Sequence, residues 1–381
     1  MMLSLYVHIP FCIKKCVYCD FISGIYSPEK TAPYVNALKK EISRIASDAA
    51  FSTLYIGGGT PTVLATDVLT EIIDFIFSEF EFTENYEATI EANPGTVDTE
   101  KLTAVLLSGI NRISIGVQSF NEDELVFLGR IHNCKDSEAA VTIAKESGFS
   151  NIGIDLIYGI PGQSLDSWKA SLKEAVSLSP QHISTYELTV EEGTDLYTMM
   201  KSNTVTGNLS VVPLNEDTVI EMYEYTVDYL TSHGYLHYEI SNFARPDYSC
   251  RHNLNYWNRG EYYGAGLGAH SLVNNQRYHN TGNIKDYTRL LSVNKSPLIH
   301  SESIDTEKAL SEEFFLGLRK TAGIRLKTLS KAYGIDIADR YQKEIKKLMA
   351  AGLLEFDSST SLMKLTRKGL LLSNEVFTEF I

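Results

Sequence analysis

Three cysteines, Cys12, Cys16 and Cys19, lie within eight residues of one another. A closed zinc site needs four ligands, and no second pair of cysteines or histidines lies suitably close to complete one. Iron–sulfur clusters are held by cysteine thiolates, ordinarily four. Three ligands on a four-iron cluster leave one iron open, and an open position on a metal can bind a small molecule. The spacing CxxxCxxC therefore predicts a [4Fe–4S] cluster with one open iron.

The composition is that of an ordinary globular protein. The chain has 381 residues, 44% of them hydrophobic and 22% charged, enough for a large domain with one or two smaller ones. Five cysteines are too few for a disulfide framework, and the opening MMLSLYVHIP does not read as a secretory signal. No run of about 18 apolar residues occurs. We therefore expect a cytoplasmic protein with at most peripheral membrane contact.

The net charge of −14 argues against a protein that grips phosphate backbones, so we expect no nucleic acid partner. Near the end of the chain, helical segments followed by a short hairpin predict a winged-helix-like module that is rich in Lys and Arg. Some modules of this kind bind DNA. Because the whole chain is acidic, we favour a packing or docking role. A homodimer is compatible with the sequence.

Short β-rich segments alternate with amphipathic segments over the first 190 or so residues. This alternation predicts βαβ units and a parallel sheet. Six units fit an α/β fold built as an incomplete (β/α)6 TIM-like barrel better than a closed barrel of eight, which needs about 250 residues. An open doubly wound sheet is the alternative. The predicted strands are 4–10, 52–59, 87–94, 112–119, 151–161 and 182–189, and the predicted helices include 34–46, 67–80, 100–109 and 137–148.

Several predicted strands end in residues that core packing does not need. The carboxyl ends of parallel strands meet at one edge of the sheet, where α/β proteins carry their chemistry. We therefore expect a single site at this edge. Its parts are the cysteine loop, GGGTP (57–61), Glu91, Gln118 with Ser119, and Asp155.

We divide the chain into three predicted regions. The βα core occupies residues 1–235, an aromatic and glycine-rich region containing HNLNYW (252–257) occupies 236–300, and the C-terminal winged-helix-like module occupies 301–381.

The cysteine loop and GGGTP on a βα scaffold together resemble the radical S-adenosylmethionine superfamily, and residues 1–235 its core. Further motifs, YVHIPFC, GVQSF, LGRIH and DLIYGIPGQ, resemble the oxygen-independent coproporphyrinogen III oxidase family over essentially the whole chain. The resemblance implies that S-adenosylmethionine chelates the open iron and that an electron from the cluster can cleave it to a deoxyadenosyl radical. The implied S-adenosylmethionine contacts are Tyr6, Tyr18, Gly58, Gly59, Thr60, Glu91, Gln118, Arg130 and Asp155.

The residue two places after Cys19 separates two branches of that family. The dehydrogenases carry a fourth cysteine there and an extra segment before the motif, whereas this sequence has Phe21 and only eleven residues before Cys12. Both features, and HNLNYW, resemble the branch of HemW-type heme chaperones. That resemblance implies heme binding and delivery to a recipient hemoprotein. The alternatives are anaerobic oxidation of coproporphyrinogen III, or radical chemistry on another substrate.

His252, beside Tyr256 and Trp257, is a candidate axial ligand for heme, with a structural histidine as the alternative. Cys250 is a rival ligand, although a free cysteine is more often simply buried. Four further residues are predicted to be structural or to line a glycine-rich turn, and Cys134 is predicted to be structural. The four are His8, Tyr262, Tyr263 and His270.

Overall fold

The computed structural model describes residues 2–46, 49–201 and 212–381. Strands and helices alternate through the first half of the chain, as the sequence predicts, although their ends differ from the predicted bounds. The strands are β1 (Ser4–Ile9), β2 (Phe11–Cys12), β3 (Gly24–Ile25), β4 (Phe51–Gly58), β5 (Phe82–Ala92), β6 (Arg112–Gln118), β7 (Ile152–Tyr158) and β8 (His182–Glu187). The helices are α1 (Pro28–Ile42), α2 (Thr66–Glu79), α3 (Thr99–Leu107), α4 (Glu122–Phe127), α5 (Cys134–Glu146) and α6 (Leu165–Ser177).

The strands of this half form a parallel sheet in the order β1, β4, β5, β6, β7, β8. In the described residues β1 and β8 do not pair with each other, so the barrel is incomplete, as predicted. Parallel strands of this kind are buried on both faces. Ile113, Ile115 and Val117 of β6 accordingly lie in the core. Because all six strands run parallel, their carboxyl ends lie at the same edge of the sheet.

The middle of the chain extends this sheet on both sides, which the sequence analysis did not predict. β11 pairs in parallel with β1 and is followed by antiparallel β12, β13 and β14, while β10 and β9 continue from β8. These strands are short, so they carry little alternation that a pattern search could detect. The elements are α7 (Asp195–Lys201), α8 (Glu216–Ser232), β9 (Leu236–Glu239), β10 (Asn242–Ala244), α9 (Arg251–Trp257), β11 (Tyr262–Ala265), β12 (His270–Val273), β13 (Gln276–Asn280), α10 (Ile284–Ser292) and β14 (Leu298–Ser303).

The C-terminal part consists of helices followed by a hairpin, with a three-stranded sheet of described residues in the order β15, β17, β16. This order agrees with the predicted one, and the name winged helix stays a prediction. The elements are α11 (Thr306–Gly317), β15 (Ile324–Arg325), α12 (Leu326–Tyr333), α13 (Ile337–Arg340), α14 (Gln342–Ala350), β16 (Leu354–Asp357), β17 (Leu362–Leu365), α15 (Arg367–Leu371) and α16 (Ser373–Thr378).

One hydrophobic core connects the barrel with the C-terminal part. The ring of Phe314 on α11 stacks on that of Phe380 near the end of the chain, with 4.4 Å between the ring centroids. The next two residues of α11, Phe315 and Leu316, lie with Tyr6 and His8 of β1 around one cavity, so this helix links the two parts. No helix within the described residues is long and apolar enough to cross a bilayer.

Candidate functional site

The three predicted cluster ligands lie on the loop that follows β1. Cys12 belongs to β2, which pairs with β3 and fixes the start of the loop. The backbone N–H of Cys19 donates to the carbonyl of Cys16 at 3.2 Å, forming a turn between them. All three are half-buried free cysteines, and burial raises the pKa of the Cys12 and Cys19 thiols. A metal or cluster that binds them would stabilise the thiolates against this cost.

This loop forms one wall of a cavity of about 390 Å³, here called the cysteine cavity. The other walls come from residues of β4 to β8 and of the loops that follow these strands, together with Asn253. The structure thus brings together Cys12 and Asp155, which are 143 positions apart in the sequence, as expected for residues at the ends of parallel strands. The predicted S-adenosylmethionine contacts that line it are Tyr18, Gly58, Gly59, Thr60, Glu91, Gln118, Arg130 and Asp155.

Glu91 lies inside this cavity with both carboxylate oxygens hydrogen bonded. Tyr55 donates its hydroxyl to Oε1 at 2.8 Å, and the backbone N–H of Gly58 donates to Oε2 at 3.0 Å. Burial is the largest influence on the carboxyl and raises its pKa to about 7. Glu91 can therefore change charge near neutral pH, and its charged form would attract a cationic ligand.

Gly58 and Gly59 allow a close approach of backbone at the end of β4. Gly58 has a φ of +109°, and a Cβ there would lie 2.3 Å from the His8 ring. At Gly59 a Cβ would lie 2.7 Å from the carbonyl oxygen of Phe11. Any larger residue would thus push against the strand that leads into the cysteine loop.

A hydrogen-bond network links Arg130 to the cysteine loop. Its guanidinium contacts Cys16 Sγ at 3.3 Å and donates to Asn93 Oδ1. Asn93 donates to Thr60 Oγ1 at 2.7 Å, and Thr60 contacts Cys12 Sγ at 3.7 Å. A cationic group and a hydroxyl donor therefore face two of the three sulfurs, which suits negatively charged thiolates.

Unpartnered polar atoms in the wall of the cysteine cavity are a test of whether it suits a polar ligand. The Nε atoms of Arg112 and Arg130 and Nδ1 of His182 are buried without a hydrogen-bond partner in the described residues. Buried polar groups are normally satisfied, so these atoms point to a missing polar partner. Asp155 accepts from Ser114 at 3.1 Å, and burial raises its pKa.

Several of these lining residues were not predicted from the sequence. Arg112 is almost fully buried at the first position of β6, and a charged residue that opens an otherwise apolar strand was the available signal. Gln118, which was predicted, ends the same strand with a φ of +69°, an uncommon conformation for a residue other than glycine. Tyr55 and His182 also line the cavity, but nothing in their local sequence distinguishes them from core residues.

Tyr6 is the one predicted contact that does not line the cysteine cavity among the residues that the structure describes. Its hydroxyl bonds to Nδ1 of His8 at 2.9 Å, and its ring lies 6.3 Å from that of Tyr55. Tyr6 thus stands behind the wall that holds Glu91. Its role as a direct contact stays a prediction.

His252 lies in α9, 1% exposed, with both ring nitrogens hydrogen bonded. Nδ1 pairs with the Thr53 hydroxyl at 2.8 Å and Nε2 with the Tyr256 hydroxyl at 2.9 Å. Burial lowers its pKa to about 3. In this arrangement neither nitrogen is free for iron, so axial ligation by His252 stays a prediction that requires one of these two hydrogen bonds to break. Cys250 is also fully buried, with its sulfur 3.6 Å from Glu87 Oε1.

A second cavity of about 610 Å³ lies beside the first and has a largely apolar lining; we call it the aromatic cavity. Asp20 and Phe21 line both cavities. Phe21 is 65% exposed, so the residue that replaces a fourth cysteine is not a core residue. Tyr262 and His270, which were predicted to line a glycine-rich turn, both line this cavity. Its other aromatic walls are Tyr6, His8, Tyr256, Trp257 and Phe315.

Comparisons with known proteins agree with this architecture. Residues 6–175 match the model of the radical SAM superfamily, and residues 304–372 match that of the HemN C-terminal domain. The solved structure of coproporphyrinogen III oxidase (HemN) from Escherichia coli superposes with a TM-score of 0.86, covering all of this chain and 90% of that one. At 24% identity this likeness concerns the fold alone.

Curated relatives are more similar in sequence. The heme chaperone HemW of Bacillus subtilis is 38% identical over 100% of this chain and 99% of its own length. The heme chaperone HemW of Mycobacterium tuberculosis is 33% identical over 98% of this chain and 93% of its own. With the three-cysteine loop, the strand-end cavity and the C-terminal part in place, the chain belongs to the HemW family of the radical SAM superfamily.

Proposed function

We propose that this protein is a heme chaperone that binds heme and passes it to a recipient hemoprotein, and that it also carries a [4Fe–4S] cluster and S-adenosylmethionine. Relatives of nearly the same length are named heme chaperones. The superfamily implies the cluster and S-adenosylmethionine.

The cysteine cavity suits the cluster and S-adenosylmethionine. Cys12, Cys16 and Cys19 would bind three irons, and the fourth would be open to the amino and carboxylate groups of the methionine moiety. When bound, the cluster supplies an electron. The protein's own groups supply charge: Arg130 faces a sulfur, and Glu91 and Asp155 offer acceptors for an ammonium or for ribose hydroxyls. The proposal concerns the binding of S-adenosylmethionine and not its cleavage.

The observation that carries the chaperone proposal is the aromatic cavity. Its volume of about 610 Å³ falls within the range of about 300–1,000 Å³ for small-molecule sites. An apolar lining with aromatic walls favours a flat, apolar macrocycle, and an opening to solvent lets it leave again. Because this cavity is separate from the cysteine cavity, heme and S-adenosylmethionine could be bound at the same time.

One experiment separates the chaperone from an oxidase. Anaerobically reconstituted protein is given heme in one sample, and coproporphyrinogen III with S-adenosylmethionine and a reductant in another. We expect a Soret shift in the first and no protoporphyrinogen in the second. When an apo-hemoprotein is then added, we expect the Soret band to change to that of the heme-loaded recipient. Formation of protoporphyrinogen at a steady rate would contradict the proposal.

A further inference from the structure

The aromatic cavity also offers a group for the iron of heme, and this inference rests on the proposed function. An axial ligand must line the cavity and have a free nitrogen, oxygen or sulfur. In the described lining there is no cysteine or methionine, so histidine and tyrosine are the main candidates.

Most of these candidates are already engaged within the protein. His8 uses Nδ1 for the Tyr6 hydroxyl and Nε2 for the carbonyl of Ile22 at 2.8 Å. Tyr256 bonds to His252 Nε2, and Tyr262 bonds to Arg277. Replacing any of these bonds with a bond to iron would leave a buried polar group unsatisfied, which is costly.

His270 differs from them. It is exposed on the cavity wall, and neither ring nitrogen has a hydrogen-bond partner within the described residues. It begins β12, whose turn into β13 runs through Asn274 and Asn275, both with positive φ. A turn of this kind fixes hairpin register, and it places His270 opposite His279.

The register of β12, β13 and β14 also holds the His270 ring in position. His279 pairs in turn with His300 on β14, so three imidazoles follow one face of the sheet. The His270 and His279 rings are stacked at 4.7 Å with 20° between their planes, and the His300 ring lies 5.5 Å beyond. Stacking restricts the rotation of His270 without using its nitrogens, as an exchangeable ligand requires.

We propose that His270 is the axial ligand of heme in the aromatic cavity and that Arg277, with Arg259, binds the propionates. Partial burial of the ring against the cavity wall, and then neighbouring His279 and Arg277, lower the pKa of His270. The imidazole is therefore neutral at pH 7, the form that binds iron.

The charge of the wall fits a dicarboxylate. Arg259 and Arg277 line the cavity, and both pair with one carboxylate, Glu312, at 2.9 and 2.8 Å. Two guanidiniums on one carboxylate leave one positive charge available, although Asp20 adds a negative charge elsewhere in the lining. In addition, Trp257 Nε1 is buried without a partner in the described residues and can donate a hydrogen bond.

The first test is heme titration of the anaerobically reconstituted full chain with ferric heme, read as a difference Soret spectrum. We expect His270→Ala to shift the Soret band and to weaken binding by at least about tenfold, since even partners outside the first ligand shell cost about 10–100-fold in metal affinity. His233→Ala is the matched control, because His233 is exposed at the end of α8 and outside the lining, and it should bind like wild type. Added imidazole should restore the wild-type spectrum in His270→Gly, which a folding defect would not allow.

The second test concerns the propionates. Arg277→Gln leaves the Arg259–Glu312 pair in place, so we expect it to weaken heme binding while the dimethyl ester of heme binds wild type and variant equally.

The outcomes of the two tests are distinguishable. If wild type binds no heme, the proposed function fails together with this inference. If wild type binds heme and His270→Ala keeps its spectrum and affinity, the chaperone proposal stands and His270 is not the ligand; loss in His252→Ala instead would assign the iron to α9.

Discussion

At the scale of single residues, the cysteine cavity combines three thiols with groups that adjust their charge. Arg130 and Thr60 face two of the sulfurs, and Glu91 lies deeper with a raised pKa. None of these side chains would indicate a function by itself. From their arrangement we derive two predictions, one on binding of the cluster and one on binding of S-adenosylmethionine.

The first prediction concerns the cluster. Cys12→Ala, Cys16→Ala or Cys19→Ala should each lose the brown chromophore and the bound iron and sulfide after anaerobic reconstitution, because two thiolates cannot hold the cluster firmly. Cys134→Ala is the control, since Cys134 starts α5 and does not line the cysteine cavity. Iron and sulfide assays measure the result. Full retention in the triple variant would disprove the assignment.

The second prediction concerns pH. Because the pKa of Glu91 is raised to about 7, the carboxyl is neutral below that pH and charged above it. S-adenosylmethionine is cationic, so its affinity should rise as the pH increases through about 7 and level off above about pH 8. Glu91→Gln should flatten this rise and weaken binding at high pH by about 1–3 kcal/mol. Calorimetry at several pH values measures this, with exposed Glu84→Gln as control. If the affinity for S-adenosylmethionine still rises with pH in Glu91→Gln, the rise comes from another titrating group.

At the scale of elements, the end of β4 packs closely against the strands that lead into the cysteine loop. Gly58 and Gly59 bring this strand against His8 and the backbone of Phe11. The loop therefore depends on a strand end as well as on its own sequence.

The third prediction compares two glycines with positive φ. Gly58→Ala should lower the free energy of unfolding by at least about 2 kcal/mol, since it combines backbone strain with overlap against the His8 ring. Gly95 has a φ of +83° with nothing within 4 Å of a Cβ, so Gly95→Ala should cost only about 1–2 kcal/mol. Urea denaturation measures both. Equal decreases in the free energy of unfolding would show that the contact with the His8 ring adds nothing to the effect of Gly58→Ala.

At the scale of the whole molecule, α11 joins the C-terminal part to the aromatic cavity. Phe314 stacks on Phe380, whereas the next two residues, Phe315 and Leu316, line the cavity. The C-terminal part thus supports a wall of the proposed heme site, which agrees with a packing role.

The fourth prediction follows from this continuous core. Phe380→Ala should destabilise the protein by about 3–5 kcal/mol, because Phe380 is 2% exposed and its removal leaves a cavity against Phe314. It should also weaken heme binding, since the support of α11 is lost. Leu107→Ala, at a residue 81% exposed, should change stability by less than about 0.5 kcal/mol. Thermal unfolding and heme titration test both effects, and unchanged heme affinity in a destabilised variant would separate α11 from the cavity.

The sequence by itself determined the features that are local or periodic. Cys12, Cys16 and Cys19 share one loop, so their spacing alone predicts their common role. The residues at the ends of β4 to β7 could be predicted to meet because parallel strands place their carboxyl ends at one edge. The incomplete barrel was predicted from the same alternation, and the structure agrees.

Only the tertiary structure decided where His252 and His270 lie. The sequence favoured His252, with Tyr256 and Trp257 beside it, but helix α9 turns its ring onto Thr53 of β4 and buries it. His270 looked like part of a turn, yet the pairing of β11 with β1 brings it into a cavity with Phe21 and α11. Such contacts depend on the register of strands that are more than 200 residues apart, and no local pattern encodes that register.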